Sequence, residues 1–113
     1  MNYIPIKKYF KSDLEIAIKY FQITNDLNDF KWSPLKINLL AFLSSGETLS
    51  TGGKKEKFCS LFDVAKDSVY NASSQLMKKN FLIRDDGKIK IHPQLLIKTP
   101  LTLQICLNLV PVK

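Results

Sequence analysis

His92 is the only histidine of the chain, and Cys59 and Cys106 are its only cysteines. A thiol beside an imidazole can form a nucleophilic pair, but the context of these residues favours a plainer reading. His92 closes the alternating run Ile89-Lys90-Ile91-His92 just before Pro93, as a strand-end residue does. Both cysteines sit in apolar patterns, where they behave as small hydrophobes. A zinc site needs three or four Cys, His or acidic ligands at local spacing, and two cysteines 47 positions apart do not supply it. Gly52-Gly53-Lys54-Lys55 is like a phosphate loop only superficially: it lacks the four residues between the glycines and the hydroxyl residue after lysine. The expectation is a chain that is not an enzyme and uses neither metal nor cofactor.

What the sequence offers instead is charge. Among 113 residues, 17 Lys and Arg stand against 10 Asp and Glu, a net charge of +7. A polyanion is therefore the first partner to consider. The excess is uneven: residues 54–98 hold ten cations and five anions, whereas residues 1–53 hold six and five. Charge alone can be no more than a solubilising lysine-rich exterior, so its meaning depends on the elements that carry it. The length suits one domain, residues 1–113, with enough apolar residues to bury a core. Two cysteines are too few for a disulfide scaffold, which points to a reducing, cytoplasmic setting. Met1 to Phe10 lacks the apolar run of a secretion signal. No apolar stretch approaches the roughly 20 residues that a spanning helix needs, so no membrane partner is expected.

The elements follow from periodicity and caps. Residues 1–11 read as an extended arm. Ser12-Asp13-Leu14-Glu15 has the form of a capping box, and Leu14, Ala17, Ile18 and Phe21 recur at helical spacing. An N-terminal helix is predicted over residues 12–24, followed by a polar loop from Asn25 to Lys31. Ser33-Pro34 opens a second helix, central in the core, with Leu35, Leu39, Phe42 and Leu43 on one stripe, Ile37 and Leu40 widening it, and Gly46 ending it. Glu47 to Gly53 reads as a loop. A short helix is predicted from Lys54 to Phe62, burying Phe58, Leu61 and Phe62. Lys54, Lys55 and Lys57 lie at its start, where cations oppose the macrodipole.

After a tight turn, a further helix is predicted from Asp67 to Lys79. It buries Val69, Ala72, Ser73 and Leu76, with Met77 beside them, and presents Asp67, Asn71, Ser74 and Lys78, flanked by Tyr70 and Gln75, on the opposite face. Asn80 is the expected left-handed cap. Phe81 to Arg84 and Lys88 to His92 read as strands of a hairpin turning at Asp86-Gly87. Leu101, Leu103, Ile105, Leu107 and Leu109 alternate with polar residues or cysteine, which predicts a C-terminal strand over residues 101–110. Such a strand needs a partner edge: the N-terminal arm, the hairpin, or a second copy or partner chain paired along Leu101–Leu109.

The run Leu61-Phe62-Asp63-Val64-Ala65-Lys66-Asp67-Ser68-Val69-Tyr70, followed by Leu76-Met77-Lys78-Lys79-Asn80-Phe81-Leu82-Ile83-Arg84, resembles the winged helix-turn-helix. There a Leu-x-Val-Ser-x-x-Thr-Val turn leads into a recognition helix and Leu-x-x-x-Gly-Leu-Ile leads into the wing. The likeness covers about residues 33–93. The strand ending Ile91-His92-Pro93 is similar to a short motif of plasmid and phage replication initiators of the RepL type. The resemblance implies an α+β fold, a winged helix-turn-helix with an extra N-terminal helix and a C-terminal β-strand. It also implies duplex DNA as partner, in a transcriptional regulator or replication-associated factor of a phage or mobile element.

Base reading then falls to Ser68, Tyr70, Asn71 and Ser74; an asparagine can pair with adenine N6 and N7. Phosphate contacts fall to Lys54, Lys55, Lys57, Lys66, Lys78, Lys79, Arg84, Lys88 and Lys90. The sequence departs from the pattern in places. Ala65 stands where the family has a capping Ser or Thr, which leaves Asp67 or Ser68 as the expected cap. Asp67 puts a negative charge at the end that meets DNA, the recognition helix has no arginine, and the wing tip Asp85-Asp86-Gly87 is acidic and short. A second reading stays open: a non-enzymatic interaction or phage-assembly protein that uses the fold as a scaffold and adds its C-terminal strand to a partner's sheet.

Overall fold

A computed structural model describes residues 9–50, 56–95 and 111. The fold is α+β. Among the described residues four helices, α1 (Asp13–Asn28), α2 (Pro34–Ser44), α3 (Glu56–Phe62) and α4 (Lys66–Lys78), accompany three strands, β1 (Leu49–Ser50), β2 (Leu82–Asp85) and β3 (Lys88–Ile91). The sheet is antiparallel in the order β1-β3-β2, and Pro93–Leu95 adds one 3₁₀ turn.

The centre is α2. Ser33 caps it by accepting from the Lys36 amide at 3.3 Å, and Pro34 occupies its first turn. From Ile37 to Ser44 only Asn38 escapes full burial, as expected of a helix that is apolar on nearly every side. The Ser44 hydroxyl donates to the Ala41 carbonyl at 2.7 Å, so its burial strands no polar atom. α1, α3, α4 and β3 all pack on this helix. Gly46, at φ 97°, turns the chain away from its end.

Against α2, α1 lays Ala17 and Phe21 fully inward, with Leu14 and Ile18 half-buried beside them. Ser12 caps it as expected, accepting from the Glu15 amide at 3.2 Å, while the Glu15 carboxylate reaches one residue further back, to the Lys11 amide at 3.0 Å. The helix runs to Asn28 rather than ending near residue 24, so much of the loop expected from Asn25 is helical. Thr24 Oγ1 donates to the Tyr20 carbonyl and Asn28 Nδ2 to the Thr24 carbonyl, at 2.9 and 2.8 Å. These polar residues satisfy helical carbonyls instead of competing with them.

The other corrections concern pairing and rotation. The loop expected over 47–53 contains β1, which pairs Leu49 with Ile89 and Ser50 with Lys88 and buries Leu49 fully. In α3, Phe58 is fully buried and Phe62 half-buried, but Leu61 is 55% exposed and Cys59 is half-buried in its place. At about 100° per residue, Leu61 and Cys59 lie on opposite flanks of the Phe58–Phe62 line, and packing turns the cysteine flank inward. α4 begins and ends one residue earlier than expected, and the strands occupy 82–85 and 88–91 instead of 81–84 and 88–92. Residues 1–8 of the arm, Lys54, Lys55, Cys106 and the strand expected over 101–110 lie outside the described residues.

Candidate nucleic-acid interface

α4 is positioned by its ends and by one buried face. Upstream, Asp63 takes a left-handed φ of 53° and the Val64 amide returns to the Cys59 carbonyl at 3.2 Å, which closes α3 and redirects the chain. Downstream, Asn80 sits at φ 66°, its amide donating to Met77 and that of Phe81 to Leu76, at 3.0 and 3.1 Å. This completes a Schellman turn. Between these ends Val69, Ala72, Ser73 and Leu76 are buried, as the sequence pattern predicts. The Ser73 hydroxyl donates to the Tyr70 carbonyl at 3.0 Å.

The N-terminus departs from expectation. Ala65 is itself the N-cap residue, with φ −78° and ψ 149°, and no side chain caps the helix. Asp67 and Ser68 do not cap, because they already lie within the first turn. Asp67 still contributes there, as an anion near the positive end of the helix dipole.

Of the base-reading candidates, Ser68 and Asn71 are exposed and Tyr70 is 60% exposed, while Ser74, on the side of the helix away from the buried stripe, is half-buried. Gln75 and Lys78 extend the exposed row. Among the phosphate candidates, Lys66, Lys78, Lys79, Arg84 and Lys88 are exposed. Two others make ion pairs: Lys57, also exposed, with Glu47 at 2.6 Å, and Lys90, half-buried, with Asp85 at 2.7 Å. The hydrogen bond from Lys90, and then its charge, hold the Asp85 carboxyl below its ordinary pKa. The hairpin turns through Asp86 and Gly87, at φ 52° and 75°, the two left-handed residues of a type I′ turn. Lys90 thus offsets part of the acidity expected at this tip.

A neighbouring feature was not legible in the sequence. A groove of about 570 Å³ lies beside the C-terminal half of α4, walled by Phe30, Trp32 and Phe81 and rimmed by Lys36, Lys78 and Lys79. Ring centroids are 4.7 Å apart for Phe30–Trp32, 5.5 Å for Phe30–Phe81 and 5.2 Å for Trp32–Phe81. Phe30 remains 41% exposed. It is held between two left-handed residues, Asp29 at φ 53° and Lys31 at φ 60°. For lysine that conformation costs on the order of 1 kcal/mol. Asn25 holds this bend: its carbonyl accepts from the Asp29 and Phe30 amides, and its Oδ1 from the Trp32 amide at 2.9 Å. The aromatic pair Phe30-x-Trp32 was the available signal, but its third ring, Phe81, lies in a distant part of the chain.

His92 sits as a strand-end residue. Its amide donates to the Phe81 carbonyl at 2.9 Å, and its Nδ1 accepts from the Gln94 amide at 3.2 Å. Cys59 is a free thiol. Among the described residues no three His, Cys, Asp or Glu side chains group to hold a metal ion, and no helix is long and apolar enough to cross a membrane. No family model, no curated protein and no solved structure matches the chain.

Proposed function

We propose that this chain is a winged-helix protein with an additional N-terminal helix, and that it binds duplex DNA through α4. In this reading α2, α3 and α4 are the three helices of the unit, β1 is the short strand between the first two, and β2–β3 is the wing. The observation that carries the reading is the two-sidedness of α4. Val69, Ala72, Ser73 and Leu76 fix one face in the core, and Ser68, Tyr70, Asn71, Gln75 and Lys78 remain exposed on the helix. A recognition helix needs that division, with its outward polar side chains meeting base edges in the major groove.

Ser68, Tyr70, Asn71 and the half-buried Ser74 read bases, and lysines hold phosphates. The protein acts in the cytoplasm without catalysis, as a transcriptional regulator or replication-associated factor of a phage or mobile element. The scaffold alternative rests on residues 101–110, outside the described residues, and no observation favours it.

The test is a salt titration of binding to random and AT-rich duplexes. Lys78, Lys79, Arg84 and Lys88 are exposed and in no ion pair among the described residues. If all four meet phosphates, the logarithm of the binding constant falls with that of salt at a slope of about −3.6, or about −0.9 each. Replacing Lys78 and Lys79 by Glu removes at least two of those contacts and abolishes duplex retention. A gel shift unchanged by K78E/K79E would falsify the proposal.

A further inference from the structure

We infer that the groove beside α4 is a subsite for an unpaired nucleotide of single-stranded nucleic acid. This goes beyond the duplex reading: the subsite shares Lys78 and Lys79 with that interface, but its aromatic wall is separate. Three observations converge. The wall is aromatic, formed by Phe30, Trp32 and Phe81, and Phe30 is open to solvent rather than sealed in the ring cluster. Its lining holds three lysines, Lys36, Lys78 and Lys79, against one acidic residue, Asp29. The groove, open to solvent, has a volume of about 570 Å³, which leaves room for a small ligand.

A flat π-face combined with excess positive charge is the chemistry that binds single strands. A base stacks on the ring while its phosphates meet the cations, with little dependence on which base it is. Gln75 lies on the same lining and can donate to or accept from a base edge. An acidic peptide would satisfy the lysines but leave the exposed part of the Phe30 ring without a planar partner. The groove is also continuous with α4 through Gln75, Lys78 and Lys79, so one nucleic acid can span both surfaces. A duplex end or fork with an unpaired base is the ligand that fits such an arrangement.

Trp32 is the only tryptophan of the chain, so its fluorescence reports on this groove directly. The experiment titrates the full chain with a short oligothymidylate, an abasic strand of equal length, a blunt duplex, and a glutamate-rich peptide. The oligothymidylate is expected to quench Trp32 more than the abasic strand at equal salt. Phe30→Ala should weaken oligothymidylate binding about 5-fold to 150-fold, the range of one lost stacking contact. Phe30→Tyr, which keeps the ring, should bind as the wild type does. This holds the test open even if the alanine variant folds poorly. Equal quenching by the abasic strand, a preference for the acidic peptide, or an F30Y variant that loses binding overturns the inference. Blunt-duplex retention should be unchanged in F30Y. In the unaltered chain, oligothymidylate binding without blunt-duplex binding would remove the duplex proposal alone, and the reverse result would remove only this one.

Discussion

The uncapped start of α4 allows a substitution whose effects on folding and on binding can be separated. Ala65 has φ −78° and ψ 149°, within about ten degrees of Ser33 at φ −69° and ψ 160°. Ser33 Oγ accepts from the amide three residues on, at 3.3 Å. Ala65 is exposed, so a serine there has room, and by the same geometry its hydroxyl reaches the Ser68 amide. Serine in place of alanine at an N-cap contributes about 0.5–2 kcal/mol, typically about 1. For a chain between the sizes usually tabulated, 1 kcal/mol raises the thermal midpoint by about 3–6 °C. Ala65→Ser is therefore expected to melt higher by that amount in a circular-dichroism scan.

Ala65→Asp provides the same acceptor and adds a favourable charge at the helix start, worth a further 0.3–1 kcal/mol or so. It should be at least as stable as the serine variant. Binding should divide the pair: A65S retains duplex DNA as well as the wild type or better, whereas A65D binds several-fold more weakly, because an anion has been placed at the end proposed to meet the polyanion. An unchanged midpoint in A65S would mean that α4 does not start at this residue. Equal duplex affinity of A65S and A65D at the same salt would mean that this end of the helix stays away from DNA, and the α4 assignment would fall with it.

Two further outcomes follow from contacts around the hairpin and the groove. Lys90 depresses the pKa of Asp85, so the pair's stabilising effect is present above the carboxyl's unfolded pKa and is lost as pH falls through the folded one. Replacing Lys90 by Met should return the Asp85 titration midpoint, followed by carbon NMR, upward to the ordinary value; no movement would assign the shift to another cause. Asn25→Ala removes the acceptor of the Trp32 amide and should cost about 1–2 kcal/mol, as expected when a half-buried donor loses its partner. Trp32 emission should shift to the red as the bend opens, and an unaltered melt and spectrum would show that Asn25 does not hold it.

The sequence was most legible where local periodicity and burial coincide. The alternation of Ile89 and Ile91, the stripe Val69-Ala72-Ser73-Leu76, the apolar run of α2 and the left-handed Gly46 and Asn80 all appear where the pattern placed them. Two other helix-ending residues, Asp29 and Asp63, take the same left-handed conformation without the glycine or asparagine that signals it. The end of α1 falls later than the pattern predicts because Asn25, Asp26 and Asn28, loop-like in composition, remain helical. β1 was hidden because a two-residue strand has no alternation to detect, and its pairing with β3 spans some forty residues of sequence. The exposure of Leu61 depends on how α3 rolls against the core, which spacing alone leaves undecided. The groove joins Phe30 and Trp32 to Phe81 across distant sequence, so only the fold reveals it.

The two ends of α4 are built with unequal firmness, and this bears on how it would meet a ligand. Its C-terminus is tied by a complete Schellman turn through Asn80 and Phe81, and Phe81 is wedged among aromatic rings. Its N-terminus has no side-chain cap, and Asp67 offsets part of that deficit through the dipole alone. Fraying therefore begins at the end that carries Ser68, while Lys78 and the groove stay on the rigid end. A nucleic acid would be held first by the firm, cationic end, and the reading turn would order upon contact. The cost of that ordering lowers affinity in proportion to the fraction of molecules with the first turn formed. A serine at position 65 reduces that cost without adding charge, which is why A65S is expected to hold duplex DNA no more weakly than the wild type.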